Sequence, residues 1–254
     1  MHKTLISEMS WYEFRDAMAF NDLIIIPVGS NEEHGPHNPL GTDTILAREL
    51  ARRIGEQAGV PVAPEIPIGS THNLAAFPGT VNVDPMLLRK VVFEIAESYV
   101  QHGARRFLFV NGHGGNSNSL DFVCDDLHAK YNDVIAMHSE WWKVLPFISQ
   151  YKCDDHGGKH ETSFVLDVDP DLCHMERAKT VPRASLTERL TYTDKFRFDG
   201  VNIPTCGVTL DKLTPMGNYG ARAEEATAEL GAEMSRIYVD YCVELVKELK
   251  RVYL

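Results

Sequence analysis

The stretch DLIIIPVGSNEEHGPHNPLGTD, residues 22–43, joins an apolar run to an irregular polar loop. The first part, 22–28, has the length and composition of a buried strand. The loop at 30–43 contains two prolines and two glycines, which exclude a regular helix. It also concentrates three carboxylates and two imidazoles: Glu32, Glu33, His34, His37 and Asp43. This order predicts a strand that ends in a loop rich in acid–base groups.

The pattern returns at RFLFV, residues 106–110, which NGHGGN follows at once. The predicted helices cover 10–20, 43–57, 84–102, 117–131 and about 221–250, and the predicted strands cover 22–28, 60–64, 106–110 and 133–138. This alternation predicts an α/β fold with a mostly parallel central sheet and helices on both faces. No linker or repeat divides the 254 residues, so we expect one domain over 1–254.

Other segments carry weaker local signals. Ser10 and Glu13 have the spacing of a capping box at the start of the first helix. The segment 151–160 is a polar loop, and 183–204 is irregular and could form a subunit contact or a lid. The core-facing stripe of the last helix is predicted from its apolar spacing as Leu230, Met234, Ile237, Tyr241, Leu245 and Leu249.

Composition argues against several classes of function. The net charge is −11 and no Lys/Arg cluster is present, so nucleic acid is not an expected partner. No apolar run approaches the ~20 residues of a membrane helix. The N-terminal residues lack the apolar stretch of a signal peptide, and we expect a soluble cytoplasmic protein.

The cysteines predict neither a disulfide framework nor a cysteine zinc site. They are odd in number, widely spaced and without a CxxC pair: Cys124, Cys153, Cys173, Cys206 and Cys242. Cys153 lies near a histidine-rich segment and is the one thiol to examine for reactivity.

The two loops after the apolar strands should meet in space. The carboxyl ends of parallel strands share one edge of a sheet, where ligands bind. Glu32, His34 and Asp43 in the first loop and His113 in the second offer oxygen and imidazole ligands that suit Zn²⁺, Mn²⁺ or Fe²⁺. These four could hold one ion, and a bridging carboxylate would allow two. Alternatively, Asp43 simply caps the following helix and His34 forms a loop hydrogen bond.

Two further clusters allow several interpretations. NGHGGN resembles a phosphate loop, yet it lacks GK[ST] and the third glycine of GxGxxG. DDHGGKHETS, 154–163, places His156 and Glu161 in a loop before a predicted helix. Glu161 could be a metal ligand or general base and His156 could move a proton, or both could be capping or surface residues. Glu33 is predicted to point away from the candidate ligands, and His37 is predicted to support the site or to face solvent rather than bind metal.

Taken together, the motifs resemble the creatininase (creatinine amidohydrolase) family. GSNEEHGPHNPLGTD, FPGT at 77–80, NGHGGN, HGGKHETS and the closing GNYGARAEEATAELG follow in the family's order over most of the chain. The resemblance implies a three-layer α/β/α metal-dependent hydrolase with two divalent ions of zinc, manganese or iron. It also implies a homo-oligomer, since creatininase itself is a hexamer.

The resemblance assigns roles position by position. Glu32 and His34 match the metal-binding E-x-H motif, and Asp43 matches the aspartate that bridges the two ions. His113 matches the histidine of N-G-H. Glu161 matches the glutamate of E-T-S, and His156 the histidine five residues before it.

Two departures place the chain in the wider family rather than with creatininase proper. Gly114 and Gly115 replace an aromatic residue and a metal-binding glutamate, and Ala221 replaces the acid of the closing motif. The wider family includes formamide deformylases, a peptide-processing peptidase and hydrolases that open a keto-inositol ring.

The resulting hypothesis is hydrolysis of a C–N bond in a small cyclic amide or formamide by metal-activated water. His156 would give a proton to the leaving nitrogen, and Glu161 would bind metal or assist proton transfer. The loop at 69–80 would shape the pocket, with Ser70 and His72 binding substrate. The alternatives are C–C cleavage of a cyclic keto-inositol, a non-catalytic metal- or ligand-binding protein, and a kinase-like phosphate-binding protein.

Overall fold

A parallel sheet of three strands forms the centre of the computed structural model, which describes residues 3–192, 196–203 and 207–254. Its strands are β1 (Leu23–Val28), β2 (Arg106–Asn111) and β3 (Ile135–Glu140), in the order β1-β2-β3. The register pairs Val28 with Asn111 and Asn111 with Glu140. All three strands therefore end at the same edge, which confirms the predicted parallel sheet.

Helices cover both faces of this sheet. They are α1 (Trp11–Met18), α2 (Thr42–Ala58), α3 (Pro85–Val100), α4 (Ser117–Lys130), α5 (Trp141–Ile148), α6 (Lys159–Val168) and α7 (Ala228–Arg251). Alternate residues of β1 point into different cores: Ile25 packs with α2 and α7, and Ile24 packs with α3 and α4. Every β1 residue is buried, as expected for a strand that is covered on both sides. The predicted α/β/α layering is confirmed.

The predicted strand at 60–64 is present only as isolated bridges. Val62 bridges to Ile25 and Leu5, and Ile66 bridges to Val28. Pro61 and Pro64 explain the interruption, because proline has no N–H to donate to a ladder.

The prediction for the last helix was wrong in its start and partly wrong in its stripe. The helix begins at Ala228, where the Thr227 side chain accepts a hydrogen bond from the Leu230 N–H. The most buried residues include Met234, Tyr238, Cys242, Val246 and Leu249, whereas Tyr241 is 41% exposed. Tyr238 can be buried because its hydroxyl donates to Ser139 Oγ at 2.9 Å.

Two other segments are more regular than predicted. The helix α5 was missed because Pro146 lies inside it. Residues 190–203 contain three short antiparallel strands, β4 (Leu190–Tyr192), β5 (Phe196–Phe198) and β6 (Val201–Ile203), rather than an irregular segment. The proposed lid or subunit contact at 183–204 lies partly outside the described residues, and Cys206 lies outside them.

None of the described helices is long and apolar enough to cross a membrane.

Candidate metal centre

Five predicted side chains converge at the carboxyl edge of the sheet. Glu32 and His34 come from the loop after β1, and His113 follows β2. Asp43 lies in the first turn of α2. Glu161 lies in the first turn of α6 rather than in the loop before it, so its predicted loop position was wrong. All five are buried.

Local backbone features bring these elements together. The Glu32 N–H donates to the Leu40 carbonyl at 2.8 Å, which folds the β1 loop back towards α2. Gly112 lies against the Asp43 carbonyl so closely that a side chain there would collide with it. The ends of β1 and β2 and the start of α2 are thus fixed against one another.

Asp43 is the residue at which two groups of candidate ligands meet. Its Oδ1 lies 2.9 Å from His34 Nε2, and its Oδ2 lies 3.1 Å from His113 Nδ1. Two sets with ligand atoms within 4.8 Å of one another share it, namely Glu32–Asp43–His113 and His34–Asp43–Glu161. A third set combines Glu32, His34 and His156. Asp43 is therefore common to two of the three groups of candidate ligands.

The donor set fits divalent metal. Glu32 Oε2 and His34 Nε2 are buried and have no hydrogen-bond partner, although each lies 2.9 Å from a neighbouring polar atom. Buried polar atoms without a partner are costly. Short distances without hydrogen-bond geometry are expected where several ligand atoms face a common ion, and carboxylate plus imidazole suits zinc, manganese or iron.

The second ring nitrogens hold the imidazoles in place. His34 Nδ1 faces the Glu32 carbonyl at 3.2 Å, and His113 Nε2 faces the Ser70 carbonyl at 2.8 Å. Such contacts orient metal-binding histidines. Ser30 Oγ also donates to Asp43 Oδ2 at 2.7 Å. Ser70 therefore contacts the centre through its backbone.

The electrostatics are strongly perturbed. Burial opposes protonation of His34 and His113, but the neighbouring carboxylates raise the pKa of each well above its usual value. The pKa of Asp43 is lowered, because His34 and His113 outweigh its burial. Burial raises the pKa of Glu161 to about 7, with His34 and His156 opposing. Without metal, the cluster balances carboxylates against imidazolium ions.

His156 and Glu33 form a pair beside the ligands. His156 Nε2 lies 3.0 Å from the Glu33 carbonyl and 3.1 Å from Glu33 Oε1. The opposite nitrogen, Nδ1, lies 3.9 Å from Glu161 Oε2 and 4.0 Å from Glu32 Oε1. The Glu33 carboxylate also accepts from the Gly35 N–H at 2.9 Å and belongs to none of the groups of candidate ligands found among the described residues. His37 is buried against Thr162 Oγ1 at 3.0 Å and is not a solvent residue.

A cleft of about 530 Å³ opens onto this cluster. From the loop at 69–80 it is lined by Asn73 and Leu74 rather than by the side chains of Ser70 and His72. His72 is exposed, and its substrate role, like that of Ser70, stays a prediction. Cys153 lines the cleft, but burial raises the pKa of its thiol far above normal, which disfavours a reactive thiolate.

Several cleft residues were missed by sequence reasoning. Trp142, Asp155, Arg183, Tyr192, Leu210 and Tyr219 also line it. Two of them had a signal, since Asp155 lies in DDHGGKHETS and Tyr219 in the closing motif GNYGARAEE. Asn111, the first residue of NGHGGN, accepts from the His113 N–H at 3.1 Å and donates to Glu140 Oε1 at 3.0 Å.

Three relatives of this chain have names that denote hydrolases. The chain is 28% identical to creatinine amidohydrolase of Pseudomonas putida, covering 85% of this chain and 89% of that protein. It is 32% identical to a mycofactocin precursor peptide peptidase of Mycobacterium tuberculosis, covering 88% and 84%. It is 29% identical to 3-dehydro-scyllo-inosose hydrolase of Thermotoga maritima, covering 71% and 61%.

Solved structures show the same fold. A creatininase crystal structure superposes with a TM-score of 0.81 at 24% identity, covering 99% of this chain and 100% of the other. A manganese form of creatininase superposes with a TM-score of 0.79 at 24% identity, covering 97% and 98%. The creatininase (creatinine amidohydrolase) family model matches residues 7–246, and the chain therefore belongs to the creatininase family.

Proposed function

We propose that this protein is a metal-dependent hydrolase that cleaves the C–N bond of a cyclic amide or formamide. The observation that carries the proposal is the placement of Asp43, whose two oxygens face two separate sets of candidate ligands. Single-ion sites do not need a shared carboxylate, whereas two-ion hydrolases commonly use one. Two of the relatives, an amidohydrolase and a peptidase, carry names that denote C–N bond cleavage.

The residues that would hold the ions divide into two groups around Asp43. Glu32 and His113 would complete one group, and His34 and Glu161 the other. Bound divalent ions would supply Lewis acidity, which polarises a carbonyl and lowers the pKa of water. Glu161 also accepts from the Gly157 N–H at 2.6 Å, which fixes the carboxylate that would bind metal or assist proton transfer.

His156 is suited to donate a proton to the leaving nitrogen. Burial and the nearby His34 oppose its charge, but Glu33 and Glu161 raise its pKa above the usual value. The raised pKa favours the protonated form of His156, which is the form that can give a proton to a departing amine. Its Nε2 contacts with Glu33 leave Nδ1 directed towards the candidate ligands.

The experiment is metal analysis coupled to a substrate screen. We expect purified protein loaded with zinc or manganese to hold two ions per chain and to hydrolyse a cyclic amide or formamide. Asp43→Asn should lose metal and roughly 10²–10³-fold of the activity, as is typical for loss of a central catalytic interaction. Asp154→Asn makes the same chemical change in an exposed residue of the cleft and should retain both.

Retention of two ions in Asp43→Asn would contradict the proposal. The inosose hydrolase relative supports a second candidate, C–C cleavage of a cyclic keto-inositol. Creatinine, formamidopyrimidines and keto-inositols screened side by side separate the two reactions. Stoichiometric metal without turnover of any of them would favour a non-catalytic metal-binding protein.

A further inference from the structure

Arg183 places a positive charge in the wall of the cleft. Its guanidinium carbon lies 4.0 Å from the centroid of the Tyr219 ring and 4.6 Å from that of Tyr192. Both rings line the same cleft. Arginine stacked on aromatic rings keeps the N–H groups in its plane available for a ligand.

This charge has no carboxylate partner among the described residues. Arg183 Nη1 is buried and without a hydrogen-bond partner. By contrast, twelve other described arginines each lie within 4.0 Å of a carboxylate oxygen. A buried, unpaired N–H on a cation is costly, so an anionic partner is expected from outside the protein.

The position of Arg183 relates it to the reacting centre. Tyr219 contacts both Arg183 and His156, and the Tyr219 and His156 ring centroids lie 5.6 Å apart. The backbones of Tyr219 and His156 also exchange two hydrogen bonds, at 2.8 and 3.1 Å. The guanidinium therefore lies in the wall of the same cleft that is lined by Glu32, Asp43 and His113.

We propose that Arg183 binds a carboxylate group of the substrate, so that the substrate is an anionic amide. This inference rests on the proposed amide hydrolysis at the same site. The planar fork of N–H donors matches a carboxylate, and such charge-assisted bonds are among the strongest hydrogen bonds in proteins. Leu74 and Leu210 in the same cleft would contact the apolar part of a small molecule.

A binding experiment tests the inference without turnover. Zinc-loaded protein is titrated in a calorimeter with dicarboxylates from malonate to adipate and with the monoamide of each. One carboxylate can bind at the metal centre in every case, so only the second group differs. We expect at least one dicarboxylate to bind the wild type tenfold or more tightly than its monoamide.

Variants test whether Arg183 causes the preference for a dicarboxylate over its monoamide. Arg183→Met should abolish it and Arg183→Lys should retain part of it, while zinc content and thermal midpoint stay unchanged. Arg189→Met is the matched control, because Arg189 is exposed and already paired with Asp199. Absence of any preference in the wild type, failure of every dicarboxylate to bind, or a preference that survives in Arg183→Met overturns the inference.

Turnover separates this inference from the proposed function. The carboxylate-bearing formamide N-formylglycine is compared with its carboxamide. C–N hydrolysis with equal losses on both in Arg183→Met would support the function and overturn the inference. Arg183-dependent dicarboxylate binding without hydrolysis of any amide would support the anion site and overturn the function.

Discussion

At the residue scale, Asp43 connects two imidazoles that belong to different loops. The aspartate also lies in the first turn of α2, where a carboxylate is favourable near the helix N-terminus. Capping alone does not explain its surroundings, since Asp43 is buried and both oxygens face histidines. The capping interpretation and the metal interpretation therefore predict different responses to pH.

Metal affinity should fall as the pH falls. The pKa values of His34 and His113 are raised, so both are protonated in the metal-free protein at neutral pH and must lose their protons to bind an ion. Each proton released weakens apparent zinc affinity up to about tenfold for every pH unit of acidification. Calorimetric titration between pH 6 and 8, in buffers of different ionisation enthalpy, measures this. Zinc binding without proton release would contradict the account.

Alanine substitutions at Gly115 and Gly114 should have different effects on the protein. A Cβ at Gly115 would collide with the Ser70 carbonyl and the His113 ring, whereas one at Gly114 meets only Trp142, at 4.0 Å. We expect Gly115→Ala to lower stability by roughly 1–3 kcal/mol, as overpacking does, and to weaken metal binding. Gly114→Ala is the matched control. Urea unfolding and zinc content measure both effects, and equal behaviour of the two variants would refute this explanation.

The same geometry explains why the glutamate of creatininase cannot simply be restored here. A Gly115→Glu side chain would start from the same obstructed Cβ position. In this chain Glu161 already lies 3.6 Å from His34 Nε2. We infer that Glu161 completes the second ligand group without a residue at 115.

At the element scale, Glu140 joins the ends of two strands to the following helices. Its buried carboxylate accepts from Asn111 at the end of β2 and from Ser117 at the start of α4, and it forms an ion pair with Lys143 in α5. Burial opposes its charge, but hydrogen bonds from His138, Lys143, Ser117 and Asn111 lower its pKa to about 2. The network holds the His113 loop, because Asn111 also accepts from the His113 N–H.

Glu140→Gln should destabilise the protein in a pH-dependent manner. A carboxyl whose pKa is 4.5 unfolded and about 2 folded contributes on the order of 3 kcal/mol above pH 4.5. That contribution is lost as the pH falls from about 4.5 towards 2. The difference in unfolding free energy from wild type should therefore shrink between pH 7 and pH 3. Urea unfolding measures it, and Glu94→Gln on the exposed face of α3 is the control.

If the difference in unfolding free energy between wild type and Glu140→Gln stays constant with pH, the effect of the substitution comes from packing rather than from charge.

Sequence patterns predicted elements whose signal is local. The run 22–28, the capping box at Ser10 and the spacing in α2 depend on neighbouring residues, and the structure has all three. The α7 stripe depended on tertiary contacts: Tyr238 is buried only because Ser139 accepts from its hydroxyl. Helix α5 contains a proline, which local rules treat as a break.

The candidate ligands could be predicted from the sequence, whereas Arg183 and Tyr192 in the wall of the cleft could not. Glu32, His34 and His113 lie in loops that follow strand ends, and Asp43 begins the helix after the first loop, so parallel topology places all four at one edge of the sheet. Arg183 and Tyr192 reach the cleft from a segment without regular spacing. No local pattern in the sequence relates them to His156, and only the folded chain does.

At the scale of the whole molecule, the candidate ligands come from four parts of the chain. The described cysteines are all free, so disulfides among them do not hold these parts together. Ligand atoms from loops after β1 and β2 and from α2 and α6 are assembled only in the folded state. Metal binding should therefore stabilise the fold as a whole.

Removal of metal should lower the thermal midpoint. Free ion at about 100 times its dissociation constant stabilises the native state by roughly 2.7 kcal/mol per site. Scanning calorimetry before and after chelation, and after zinc is restored, measures this. The thermal midpoint of Asp43→Asn should not change with zinc, and a change equal to that of wild type would contradict the assignment.

Assembly into a homo-oligomer stays a prediction, which light scattering tests.

The most direct test is anomalous diffraction at the zinc edge from crystals of the zinc-loaded protein. We expect two peaks per chain, one beside Glu32 and His113 and the other beside His34 and Glu161, with the Asp43 carboxylate between them. A single peak, or two peaks that do not share Asp43, would contradict it.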